Sequence, residues 1–264
     1  MKLTNIINPQ PTWFKSPLDQ FIIRDLFSIK ADILANIQIS LTNIALYLII
    51  TTSILLVIYT IATNYNLIIP NSWSLSQESI YSTIYSIVIN QINANKGQMF
   101  FPFISALFIY ILINNLVGMV PYSFAPTSHF ILTFSISFTV VIGATILGFY
   151  IHNLKFFSLF VPSGCPLGLL PLLVLIEFIS YLARSVSLGL RLAANILSGH
   201  MLLNILAGFT YNIMKSGFIF FFLGLIPLLF IIAFSGLEIG IAFIQAQVFV
   251  VLSASYIKDA LDLH

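Results

Sequence analysis

The chain has 264 residues, of which 59% are hydrophobic and 7% charged, with a formal net charge of +2, against about a quarter charged in a soluble globular domain. Such a composition belongs to a polytopic membrane protein, and a near-neutral chain without a basic run excludes a nucleic-acid-binding role. A single cysteine, Cys165, excludes an internal disulfide and any cysteine-based metal cluster. Ile, Leu, Phe and Asn are abundant while Ala, Gly and Arg are scarce, the bias of an AT-rich organelle genome.

In chain order, Met1 to Lys15 is polar and contains prolines. It lacks the continuous apolar core of a secretory signal and the arginine density of a transit peptide, so a loose tail and a short removable leader both fit. Residues 16–264 read as one membrane domain. The apolar run from about Ile37 to Ile61, closed by Thr63-Asn64-Tyr65-Asn66, predicts a first span. Residues 76–95 place Ile80, Ile84, Ile87 and Val88 on one side and Ser79, Ser82, Ser86 and Asn90 on others, which predicts an amphipathic helix lying at the membrane surface. Phe100 to Val120 and Phe130 to Ile151 predict two spans forming a helical hairpin over 100–151, joined by a short segment containing Pro121 and Pro126. His129 and His152, at the ends of that second span, read as surface residues, and Trp13 and Trp73 as interface anchors.

After the Pro/Gly-rich loop Val161 to Gly168 come two apolar runs, about Leu169 to Ile213 and about Gly217 to Tyr256, within segments 167–213 and 216–257. A continuous helix of ~40 residues is ~60 Å long, twice the ~30 Å hydrocarbon core. Either each run breaks or each helix is steeply tilted, by about 60° if unbroken, beyond the usual 0–40°. The fold class is therefore all-α: transmembrane helices, one interfacial helix and two long C-terminal helices.

Polar residues inside these runs are few and patterned. Glu177, Arg184, Arg191 and Ser198 recur every seven residues, with Asn195 one turn past Arg191. A seven-residue step turns a helix by only about −20°, so the five share a stripe that must face protein or water. Arg191 is the costliest of them: an arginine at mid-bilayer costs roughly 3 kcal/mol on insertion scales and marks a functional site. His200 lies half a turn away and belongs to another wall. Small residues Gly189, Ala193, Ala194 and Gly199 permit close approach of a second backbone. The last run carries Glu238, flanked by Ser235, with Gln245 seven residues on and Gln247 and Asp259 beyond. Carboxylates, an imidazole and amides at these spacings can hold or pass a proton, whereas the chain has no nucleophile–base triad, phosphate loop or metal-ligand cluster. Arg184 reads equally as a helix-end cation snorkelling to the interface, and Glu177 as its neutralising partner. Asn114 and Asn115 read as interhelical hydrogen-bonding groups.

Ser187-Leu-Gly-Leu-Arg-Leu-x-x-Asn-x-x-x-Gly-His200 resembles the signature of the a subunits of rotary ATP synthases. The similarity runs from about Ser16 to His264. The start Ser16-Pro-Leu-Asp-Gln-Phe and the end Ser255-Tyr-Ile-Lys-Asp resemble the fungal mitochondrial form. The resemblance implies that Arg191 faces the rotating c-ring and its carboxylates. It implies a proton inlet at Glu238 and His200, with Asn195 and Gln245 nearby, and an outlet at Glu177 and Asp259, with Arg184 and Ser198 in support. It also implies a mature start near Ser16, a place in the mitochondrial inner membrane, and partnership with c-ring, other membrane-sector and peripheral-stalk subunits. Protons are the transported species, with no cofactor, no metal and no nucleotide chemistry in this chain. Ala193-Ala194 depart from the bacterial pattern of bulkier or glycine residues, which bears on how closely a ring approaches. The competing class is a proton-coupled secondary transporter or a respiratory-pump membrane subunit. Such folds favour paired, interrupted repeats, and the arginine-containing segment has no internal repeat.

Overall fold

The computed structural model describes residues 18–31, 37–62, 71–92, 94–120, 123–161 and 167–261. The 1–15 tail, Trp13, the polar boundary at 63–66 and Cys165 lie outside the described residues. Two strands, β1 (Asp25–Ala31) and β2 (Ile37–Thr42), precede seven helices among the described residues: α1 (Asn43–Ala62), α2 (Ser72–Ile92), α3 (Ala94–Gly118), α4 (Phe130–His152), α5 (Leu170–Lys215), α6 (Phe218–Leu223) and α7 (Leu225–Leu261).

The first helix starts later than the apolar run suggests. Ile37 to Thr42 is an edge strand paired antiparallel with β1, in register Ile37 with Ala31 and Thr42 with Asp25. Alternation decides this: Ile37, Ile39 and Leu41 interleave with Gln38, Ser40 and Thr42, a period of two that suits a strand and no helix. The helix then starts where the Thr42 hydroxyl accepts the Ala45 N–H at 3.5 Å, an N-cap. α2 likewise starts at Ser72, before the expected 76, with the Asn71 side chain accepting the Ser72 N–H at 2.9 Å. Its Ile84, Val88 and Ile92, four residues apart, are buried as one face.

Five stretches are long and apolar enough to cross a membrane: Asn43–Ala62, Lys96–Gly118, Phe130–Phe160, Leu170–Lys215 and Phe218–Leu261. The chain is an all-α, multi-pass membrane protein apart from the short hairpin. α5 runs unbroken for 46 residues, about 69 Å at 1.5 Å per residue. The second long run is interrupted once, at Gly224, where a side chain would strike Met214 of α5; its main part, α7, has 37 residues.

The expected hairpin of α3 and α4 is corrected by their packing: the two are not close-packed on each other but share α7, with α3 also along α2 and α4 also along α5. The reason is size. α7 turns Ala242, Ala246, Ser253, Ala254 and Ala260 inward, all buried, and small residues let helices approach closely. α2, α3, α4 and α5 all pack on it, forming a core of Phe108, Ile111, Val140, Leu188, Leu192, Phe249 and Val250 among others. The Asn115 amide donates to the Ala242 carbonyl at 3.4 Å across α3 and α7, whereas Asn114 bonds within its own helix to Tyr110 at 2.8 Å.

The segment joining α3 to α4 is buried, not a surface connection: Ser123 to Ser128 are all shielded. His129 is correspondingly half-buried and stacks on Phe124, and burial pushes its imidazole below the usual histidine range. His152, at the other end of α4, is hydrogen-bonded through Nε2 to the Leu261 carbonyl at 3.2 Å, tying down the last turn of α7. Asn153 then takes φ 49°, the left-handed region that asparagine tolerates, and ends α4.

α4 and α5 meet at Gly189, where a Cβ would come within 3.0–3.2 Å of the Ser137 hydroxyl, the Phe134 ring and the Thr133 carbonyl. Gly189→Val should therefore wedge the pair apart at a cost of about 1–3 kcal/mol. The check is thermal unfolding of the purified protein; an unshifted transition would mean that this contact does not hold the helices.

Candidate functional site

α5 separates its residues cleanly by face. Tyr181, Ser185, Leu188, Leu192, Ile196 and His200, spaced three or four apart, are buried against the bundle. Arg184, Arg191 and Ser198 are exposed on the opposite side, Glu177 is partly exposed with them, and Asn195 lies half-buried on the shoulder. The seven-residue recurrence thus maps onto a stripe pointing away from this chain's own core.

Arg191 sits in an open groove of about 480 Å³ lined by Ala183, Val186, Ser187, Leu190 and Ala194. No carboxylate pairs with it among the described residues. Three of the groove's residues are Ala or Ser, and on α7 a Cβ at Gly236 or Gly240 would meet open space. A guanidinium set among small side chains on an outer helix face is suited to an acidic partner on another helix.

At one end of the stripe the structure brings three predicted residues together. The Arg184 guanidinium donates to the Glu177 carboxylate at 3.0 Å and lies 3.9 Å from Asp259 on α7. The neutralising reading of Glu177 is realised in this geometry. With Arg184 and Glu177 side chains 48% and 41% exposed, the pair contributes at most about 1 kcal/mol. Tyr181 and Tyr256 pack edge to face nearby, their centroids 6.2 Å apart. Neither tyrosine was singled out by the sequence pattern, because each falls on an apolar helix face.

At the other level, Glu238 of α7 is buried with its carboxylate against Gly199, and a side chain on that glycine would overlap it. The neighbouring His200 is buried too. Its Nε2 and both Glu238 oxygens make no hydrogen bond to the protein among the described residues. Buried polar atoms are nearly always satisfied, so these three atoms stand out, as does one side-chain atom each of Asn114, Asn115, Thr127 and His129 elsewhere in the bundle. Gln245, one helical face along α7, and Asn195 are half-buried, and no hydrogen bond joins either to His200 or Glu238. Phe21, from a 3-10 turn ahead of β1, rests edge-on against His200 with centroids 6.2 Å apart. Periodicity carries no signal for such a contact, since it reaches across the whole chain from a short polar segment.

The pairs Tyr181–Tyr256, Arg184–Asp259 and Gly199–Glu238 show α5 and α7 running antiparallel. The two polar levels are separated by fifteen residues of α5, about 22 Å. Arg191 lies between them on the outer face.

Comparison with known proteins places the chain in a family. The family model described as ATP synthase A chain matches residues 45–258. The chain is 75% identical over 249 residues to ATP synthase subunit a of Podospora anserina, covering 94% of each. Against the same subunit of Emericella nidulans it is 76% identical over 249 residues, covering 94% of this chain and 97% of the other. Against that of Saccharomyces cerevisiae it is 46% identical over 260 residues, covering 98% and 99%. Matched over most of its length by the family model and by relatives aligned nearly end to end, the chain belongs to the ATP synthase A chain family.

Proposed function

We propose that this chain is the stator proton-channel subunit of an F-type ATP synthase in the mitochondrial inner membrane, passing protons to and from c-ring carboxylates through two offset half-channels. The observation that carries it is the pair of polar sites about 22 Å apart along α5, with Arg191 between them on the outward face. Two polar sites set apart along the helix, with a permanent charge between them on the outer face, are what an offset path requires.

Protons enter past Glu238 and His200, with Asn195 and Gln245 flanking, and neutralise a ring carboxylate. Neutralisation permits that group to rotate into lipid, since an ionised carboxylate in hydrocarbon is costly. After nearly a full turn the carboxyl group reaches the outlet at Glu177 and Asp259, where Arg184 holds the two acids in one cluster. Arg191 attracts the ionised form and so lowers the pKa of the arriving carboxyl; its fixed charge also obstructs direct proton passage between the half-channels. Driving energy comes from the membrane potential, about 2.3 kcal/mol per charge per 100 mV, so several protons serve each ATP. Ser198 extends the polar face beyond Asn195, whose carbonyl accepts its hydroxyl at 3.2 Å. The chain performs no nucleotide chemistry; its partners are the c-ring and the other membrane-sector and peripheral-stalk subunits. The transporter and respiratory-pump readings lose ground to family membership.

Arg191→Lys keeps a charge but loses the delocalised, permanently protonated fork. Proton-driven ATP synthesis by the assembled complex should fall by more than about a hundredfold; full synthesis by that variant would remove the arginine from its role. Glu238→Gln should slow proton flux about tenfold or more, within the range of a lost acid–base group, while the complex still assembles. Flux measured with a pH-sensitive dye in membrane vesicles decides this, and a normal rate would take Glu238 off the path.

A further inference from the structure

The geometry points to Phe21 as a positioning residue for His200, held in place by Asn43 on one side and a Gln20–Asn204 latch on the other. This rests on the reading of His200 as part of the proton inlet. Around Phe21 the chain is largely exposed: Leu18, Ile22 and Ile23 are about half accessible, at 50%, 48% and 48%. Phe21 alone of these apolar side chains is buried, and the ring edge-on to it at 66° belongs to His200.

His200 Nε2 has no hydrogen-bond partner in the protein among the described residues. A catalytic or metal-binding histidine usually has its orientation set by a hydrogen bond at the other ring nitrogen. Here a hydrogen bond at Nε2 does not do so, and packing takes that part. Edge-to-face contact is directional, because the positive rim of one ring meets the negative face of the other. An imidazole that must receive a proton at one nitrogen and release it toward Glu238 depends on such an orientation.

The turn bearing Phe21 is built to stay where it is. Its Phe21 N–H donates to the Leu18 carbonyl at 3.0 Å. One residue ahead, Gln20 Oε1 accepts from the Asn204 amide at 3.3 Å, and Asn204 stands one turn past His200 on α5. One residue behind, the Ile22 carbonyl accepts from Asn43 Nδ2 at 3.1 Å. The Arg24 N–H then donates to Asn43 Oδ1 at 3.3 Å, and the Asn43 N–H returns to the Arg24 carbonyl at 3.1 Å. Asn43 opens α1, so Phe21 is referenced to two helices at once. A greasy side chain merely avoiding water would not require polar anchors on both sides.

The test uses the assembled synthase in mitochondrial membranes, reading proton-driven ATP synthesis per unit of assembled complex. Phe21→Leu keeps the bulk and removes the ring; synthesis should fall several-fold, and Phe21→Tyr should restore most of it. In a His200→Ala background Phe21→Leu should cost nothing more. Native synthesis by Phe21→Leu overturns the inference, as does a loss that persists in full without His200, which would make the ring a general packing element. Where Phe21→Leu fails to assemble, Gln20→Ala carries the test: a smaller loss that vanishes in an Asn204→Ala background supports the latch, and no loss overturns it. If His200→Ala itself leaves flux normal, the inlet reading falls and this inference with it; if His200→Ala slows flux while Phe21→Leu is silent, only this inference falls.

Discussion

A guanidinium cannot be left in hydrocarbon without a counter-charge or water, and no carboxylate pairs with Arg191 among the described residues. Leu188, Leu192, Ala193 and Ile196 pack the inward side of α5 to near-complete burial, leaving the charge to the outward side. The rest of the arrangement follows. A residue that must be outward at every seventh position, where helical drift is small, places Arg184 and Ser198 with Arg191 and throws His200 onto the opposite wall. One helix thereby belongs to two surfaces, with its neutral groups on one and its permanent charge on the other.

α7 repeats this division with different chemistry. Its inward face mixes alanines and Ser253 with large residues such as Phe249 and Val250, and carries one acid, Glu238, placed where α5 has a glycine to receive it. The outward face has glycines at 236 and 240 over open space. Exposed smallness on α7 and an exposed groove on α5 lie on the two longest helices, which together form a surface that another set of helices can approach closely. The proposed entry and exit are thus separated along α5, and the proposed rotor-facing surface is the outward side of these two helices.

Much of this was legible in order, because it rests on periodicity and length. Over-long apolar runs and the seven-residue polar recurrence are one-dimensional patterns, and the structure returns them as two long helices and one exposed stripe. What escaped depends on contacts between distant segments. Ile37 to Thr42 is apolar enough to pass for the start of a span, and only its alternation betrays the strand. α3 and α4 are adjacent in sequence, which suggests a hairpin, yet the small residues of α7 draw both onto a third helix. His129 and His152 sit at span ends, where surface exposure is the ordinary expectation, but one stacks on Phe124 and the other secures the end of α7. Phe21 has no periodic context at all, and the ring it meets belongs to His200, 179 positions away.

The placement of α7 has a consequence for how the molecule comes into being. Among the described helices it comes last in the sequence, and it is also the helix on which α2, α3, α4 and α5 all converge. Until it arrives, α2 can pack on α3 and α4 on α5, but the interior that these pairs share with α7 is missing; Asn115 lacks its carbonyl, and Arg184 and His152 lack their partners on α7. Insertion and consolidation are therefore separate events in time. A chain cut short before Leu225 is not a trimmed version of the protein but a loose set of spans, recognisable to membrane quality control by its unfilled interior.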